Sequence, residues 1–78
     1  MTLNNLRPGQ AGTVLALRME GAVRRRLRDL GLVEGARVRC LGCSPLGDPS
    51  AYGICGAAIA LRRWDSRRIE VEVEPWSG

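Results

Sequence analysis

Nine consecutive residues, Arg24-Arg25-Arg26-Leu27-Arg28-Asp29-Leu30-Gly31-Leu32, read as one short helix with its stop signal attached, in a chain that otherwise alternates like β-strand. Val23, Leu27 and Leu30 fall at i, i+4 and i+7 on one helical face, while Arg24, Arg25 and Arg28 point mostly to water. Gly31 suits the left-handed position just past the helix end, where a Cβ would clash, and Leu32 can fold back on Leu27 in a Schellman ending. The fold therefore has to seat one amphipathic helix of about three turns against a sheet.

The sheet is written in short apolar runs. Leu6-Arg7-Pro8-Gly9-Gln10 is a turn that opens into a first strand over Gly12–Leu17. Arg37-Val38-Arg39-Cys40 alternates as a second strand, with Val38 and Cys40 inward. Pro45-Leu46-Gly47-Asp48-Pro49 is dense in turn residues and predicts a projecting loop. A third strand follows over Ala51–Cys55, with a bulge or bend at Gly53 and Gly56. The fourth runs over Ala57–Arg63 with Ile59 and Leu61 inward. The fifth is the cleanest: Ile69, Val71 and Val73 alternate with Glu70, Glu72 and Glu74. Trp64-Asp65-Ser66-Arg67 is read as a short turn, and Glu74–Gly78 as a tail. Five short strands with glycine at the corners and one helix after the first predict a mainly β fold, a small closed or nearly closed barrel without exposed edges.

Size and charge limit what such a fold can do. A chain of 78 residues makes one domain with a thin core, so function is expected on the surface rather than in a deep pocket. All twelve basic residues are arginine and histidine is absent, which removes most acid–base and metal chemistry at neutral pH. No enzyme and no cofactor is expected, since there is also no glycine-rich phosphate loop followed by lysine. The apolar run Tyr52–Leu61 is about half the length of a membrane span, and the first residues lack a secretory pattern, so a cytoplasmic protein that does not insert into the membrane is expected. Residues 1–40 hold eight arginines against three acids, which places a basic surface near the helix.

The chain also carries an ordered set of motifs: Leu6, Pro8-Gly9-Gln10, Gly12 and Val14; Arg26–Leu32 with Gly35 and Val38; Pro45–Pro49; Gly56 with Ile59-Ala60-Leu61-Arg62; and Ile69 with Val71. Over nearly the whole chain this set resembles the FeoA family of small ferrous-iron transport proteins. The resemblance implies an SH3-like five-stranded barrel with a helix after the first strand. It further implies an accessory or regulatory protein of ferrous-iron uptake that binds FeoB, a membrane transporter with a cytoplasmic GTP-binding domain, and modulates its transport or GTPase cycle. Trp64-Asp65-Ser66 departs from the Glu-Ala often found after the fourth strand in such proteins, and the three cysteines lie outside the family pattern.

Two elements are candidate contact surfaces. Arg24, Arg25 and Arg28 offer guanidinium groups to acidic partners. Pro45, Leu46 and Asp48 present a protruding apolar tip at low entropy cost. A cleft between helix and loop is expected to dock a cytoplasmic segment of the transporter. The ordinary readings are a solvated helix face and a plain hairpin turn. An alternative is a thiol-metal site: Cys40 and Cys43 have C-x-x-C spacing, and a hairpin turning around Gly47 and Asp48 would bring Cys55 near Cys40. Core or loop packing is the ordinary reading there. A nucleic-acid-binding barrel is the other alternative, although the chain nearly lacks aromatics on which bases could stack. A homo-oligomer is compatible with flat sheet edges.

Overall fold

A computed structural model describes residues 1–75, so the part of the expected tail from Trp76 onward lies outside the described residues. In chain order it contains a 3-10 turn (Leu3–Asn5), β1 (Ala11–Leu17), α1 (Gly21–Asp29), β2 (Arg37–Cys43), β3 (Ser50–Ile54), β4 (Ala57–Leu61), the one-turn helix α2 (Arg63–Ser66) and β5 (Ile69–Val73). All pairings are antiparallel, in the order β4-β3-β2-β1-β5. The mainly β class, the five strands and the helix after β1 are as expected. The barrel is corrected: β4 and β5 stand at opposite ends of the order, so the sheet stays open instead of closing on itself.

α1 ends as its residues dictate. The Leu32 N–H donates to the Leu27 carbonyl at 3.0 Å and the Gly31 N–H to the Arg28 carbonyl at 3.0 Å, with Gly31 at φ +106°. These are the two bonds of a Schellman ending, and they drive Leu32 into the core, where it is wholly buried. The apolar face of the helix is narrower than its periodicity predicts. Only Leu27 is buried on α1, whereas Val23 and, just past the helix, Leu30 stay exposed.

The core lies on one face of the sheet. Val14, Val38, Cys40, Tyr52, Ile54, Leu61, Ile69 and Val71 pack there with Leu3, Leu6, Leu27 and Leu32. β5 alternates as read, Ile69 and Val71 inward and Glu72 exposed, while on β4 only Leu61 is fully buried and Ile59 is half-buried. β4 also stops at Leu61, two residues short of the expected end. Leu3 is buried by the 3-10 turn, and Met1 and Thr2 lie along β5: the Val71 N–H donates to the Met1 carbonyl at 2.8 Å and Thr2 bridges to Glu70. β1 approaches β5 closely at Gly12, where a Cβ would sit 2.8 Å from the Glu72 carbonyl oxygen.

Two local departures reset the sequence register. A bulge in β1 between Val14 and Ala16 leaves the exposed Leu15 out of the pairing with β5 and brings Leu17 back to the buried side. A second lies in β2 between Cys40 and Gly42, placing Leu41 outside over Gly53. Cys43 pairs with Ser50, so the hairpin turns around Leu46 and Gly47 instead of Gly47 and Asp48, and beyond the bulge Cys40 pairs with Tyr52, so Cys55 does not face it.

Candidate functional site

The helix presents fewer free charges than its run of arginines implies. Arg28 Nη1 donates to Glu34 at 2.9 Å, and Arg24 Nη2 lies 3.5 Å from the other oxygen of the same carboxylate. A hydrogen bond from its own backbone amide, joined by the charges of Arg28 and Arg24 and opposed by desolvation, holds the Glu34 carboxyl below its ordinary range. Among the described residues the Arg24 Nε is buried without a partner. Arg25 is exposed and makes no ion pair among the described residues. A groove of about 510 Å³ runs along this face, lined by Glu20, Gly21, Arg24, Arg25, Arg28 and Asp29.

The loop of the β2–β3 hairpin is a built structure. The Gly47 N–H donates to the Ser44 carbonyl at 2.8 Å, the Ser44 N–H to the Pro49 carbonyl at 3.0 Å, and the Asp48 N–H to Ser44 Oγ at 3.1 Å. This network holds Leu46 at the tip, 94% exposed beside Pro45. The Asp48 carboxylate is already engaged, accepting from the Arg63 N–H at 2.9 Å at the start of α2.

Helix and loop do not form the expected cleft. Gly31, just past α1, packs against Ile54 and Cys55, and Ile54 pairs with Val38 near the start of the hairpin. The Pro45–Pro49 loop closes the other end of that hairpin, so the two candidate surfaces sit apart, and the groove along α1 has no loop residue in its wall.

The cysteines do not converge either. Cys40 is buried opposite Tyr52, Cys43 is exposed on the same strand, and Cys55 is exposed in the turn between β3 and β4. Among the described residues no three cysteine or acidic side chains are grouped so as to hold a metal ion. Burial pushes the Cys40 thiol above its ordinary pKa, against the effect of a hydrogen bond from the Gly42 backbone. Burial likewise raises the Tyr52 phenol, opposed by the hydroxyls of Ser66 and Ser50. Tyr52 is a core residue and offers no surface for stacking.

The sequence reading passed over one cluster. α2 turns Ser66 into the core and leaves Trp64 outside, 60% exposed. The Arg67 and Arg68 guanidinium carbons lie 4.1 and 4.6 Å from the centroid of a Trp64 ring, within cation–π range. The signal was present as two arginine pairs around a tryptophan, Arg62-Arg63-Trp64-Asp65-Ser66-Arg67-Arg68. A plain turn gives these side chains no common face, whereas one helical turn does. On the outer face of the sheet a separate groove of about 490 Å³ runs over Leu41 and Gly53 between Arg39 and Ala58.

The FeoA domain family model matches residues 1–73. A curated relative, an Fe(2+) transport protein A/Fe(2+) transporter FeoB fusion protein of Porphyromonas gingivalis, is 34% identical over 73 residues, which make up 94% of this chain and 9% of the fusion protein. The chain thus spans under a tenth of that relative. Among solved structures, the FeoA protein of Chlorobium tepidum superposes with a TM-score of 0.89 at 37% identity, covering 100% of this chain and 82% of that one. FeoA of Stenotrophomonas maltophilia, solved in complex with zinc and described as an SH3 domain protein, superposes at 0.81 with 32% identity, covering 92% of this chain and 89% of that one.

Proposed function

This chain belongs to the FeoA domain family, whose members are accessories of ferrous-iron transport, and from that premise we propose that it binds a FeoB-type transporter on its cytoplasmic side and modulates the transport or GTPase cycle. The observation that carries this reading is the Porphyromonas gingivalis fusion, in which a segment 34% identical to this chain is covalently joined to FeoB. Joining two modules in one polypeptide raises their effective concentration toward the millimolar range, which is useful when they act on each other. The fold supports a binding role: exposed contact surfaces stand on a small core. No described helix is long and apolar enough to cross a membrane.

The contact residues in this proposal are Arg24, Arg25 and Arg28 on α1 and Pro45, Leu46 and Asp48 in the hairpin loop, acting as two separate patches. Arg25 and Leu46 are the accessible members, while Glu34 occupies Arg24 and Arg28 and the α2 backbone occupies Asp48. The test is binding of the purified protein to the soluble cytoplasmic domain of the transporter, read with GTP hydrolysis. Arg25→Glu and Leu46→Asp, made singly and together in a folded protein, are expected to weaken saturable binding. Unchanged binding by the double variant would remove both patches from the interface. No binding by the unaltered protein would overturn the reading.

A further inference from the structure

α2 and the neighbouring hairpin loop form one end of the molecule. Ser50 pairs with Leu61, so the segments preceding Ser50 and following Leu61 leave the sheet side by side, and the Asp48–Arg63 hydrogen bond ties them together. This end exposes two large apolar side chains, Leu46 at 94% and Trp64 at 60%. The two segments that carry them, 45–49 and 62–68, also hold Arg62, Arg63, Arg67 and Arg68, with Asp48 and Asp65 as their acids. None of the four arginines makes an ion pair among the described residues, although Arg18, Arg24, Arg28 and Arg37 all do.

We propose that this end is a peripheral docking surface for an anionic phospholipid membrane, with Trp64 and Leu46 entering the headgroup layer and Arg62, Arg63, Arg67 and Arg68 holding lipid phosphates. Tryptophan favours the membrane–water boundary because its ring is apolar and its indole N–H is polar. The arginine stems pack along apolar surface while their guanidinium groups reach phosphate oxygens in forked geometry. Single-stranded nucleic acid is held by several stacking aromatics, of which this end has one, and a lone aliphatic tip adds no stacking face. A membrane takes both anchors at once. The Trp64 ring lies beside two arginines, which pre-orders the cationic groups around the anchor. This interfacial contact spans nothing; it shares Leu46 with the proposed transporter contact, whereas Trp64 and the four arginines belong to it alone.

The experiment is sedimentation with vesicles of phosphatidylcholine alone or mixed with phosphatidylglycerol, at low and moderate salt and with no transporter present. A Trp76→Phe protein reports on Trp64 through its fluorescence. The expected result is binding to the anionic vesicles only, weakened by salt, with a blue shift of Trp64 emission. Arg67→Ala is expected to weaken it about fivefold, Arg67→Lys to retain most of it, and Trp64→Ser to lose most of it. Both positions are exposed, so unchanged melting curves would show that the variants remain folded. Equal sedimentation with both lipids, or binding indifferent to Trp64→Ser and Arg67→Ala, would overturn the proposal. So would Trp64-dependent binding to an oligonucleotide or to the soluble transporter domain in the absence of vesicle binding.

Discussion

The Asp48 carboxylate accepts a hydrogen bond from the backbone N–H of Arg63 at 2.9 Å, across 15 residues of sequence. It satisfies one of the donors left free at the start of α2, for which Arg62, the residue at the cap position, supplies no side-chain partner. Asp48→Ala is expected to cost about 1 kcal/mol in urea unfolding, as loss of a helix-start acceptor does. Asp48→Asn, which keeps an acceptor oxygen, should cost less. Equal stability of Asp48→Ala and the unaltered protein would show that the bond contributes nothing in solution.

Gly31→Ala is expected to destabilise by about 1–3 kcal/mol, through strain at a left-handed backbone position. Its φ is +106°, and a Cβ would sit 3.0 Å from Ile54 Cγ2 and 3.3 Å from Cys55 Sγ. Thermal melting measures the cost. A companion Cys55→Ala change should recover only a small part, since the backbone strain remains.

The three thiols should separate by reactivity. Cys43 and Cys55 are exposed, whereas Cys40 is buried with its thiol pushed to a higher pKa by desolvation. Timed alkylation at mildly alkaline pH, read by mass spectrometry, is expected to modify two cysteines quickly and the third only on unfolding. Rapid modification of all three would contradict the burial of Cys40.

Glu34 should titrate below an ordinary glutamate in a carboxyl-carbon NMR titration. Because its folded pKa is lowered, the group contributes stability above its unfolded value, and that contribution is lost as pH falls through the lowered one. Glu34→Gln should therefore flatten the acid limb of the stability profile. It should also free Arg24 and Arg28 and strengthen the salt-dependent binding of acidic partners to the helix face. Identical acid limbs in the two proteins would remove Glu34 from the account.

What could be read in advance depended on how local its causes were. The Schellman ending is set by Leu27, Gly31 and Leu32 alone, and the alternation of β5 by five adjacent residues; both appear as read. The hairpin register failed for two reasons: the turn is centred at Leu46 and Gly47 instead of Gly47 and Asp48, which moves the pairing by two residues, and the bulge after Cys40, which nothing in Cys40-Leu41-Gly42-Cys43 announces, moves it by one more. α2 was read as a turn because the group that supports its start, Asp48, comes from another loop. The tryptophan–arginine face went unseen with it. Barrel closure failed for a third reason: alternation tells which face of a strand is wet, not whether its outer edge finds a partner. The family assignment survived these misses because it rests on the order of the motifs along the chain.

The pairing of β1 with β5, together with the Val71–Met1 hydrogen bond, lays residue 1 along the strand that ends at Val73. Two points far apart along the polypeptide are thereby neighbours on a single flank. A short glycine-serine connector could join them, and the chain could be reopened at the exposed Leu46–Gly47 tip without interrupting any strand. Such a circular permutant should keep the same strand order.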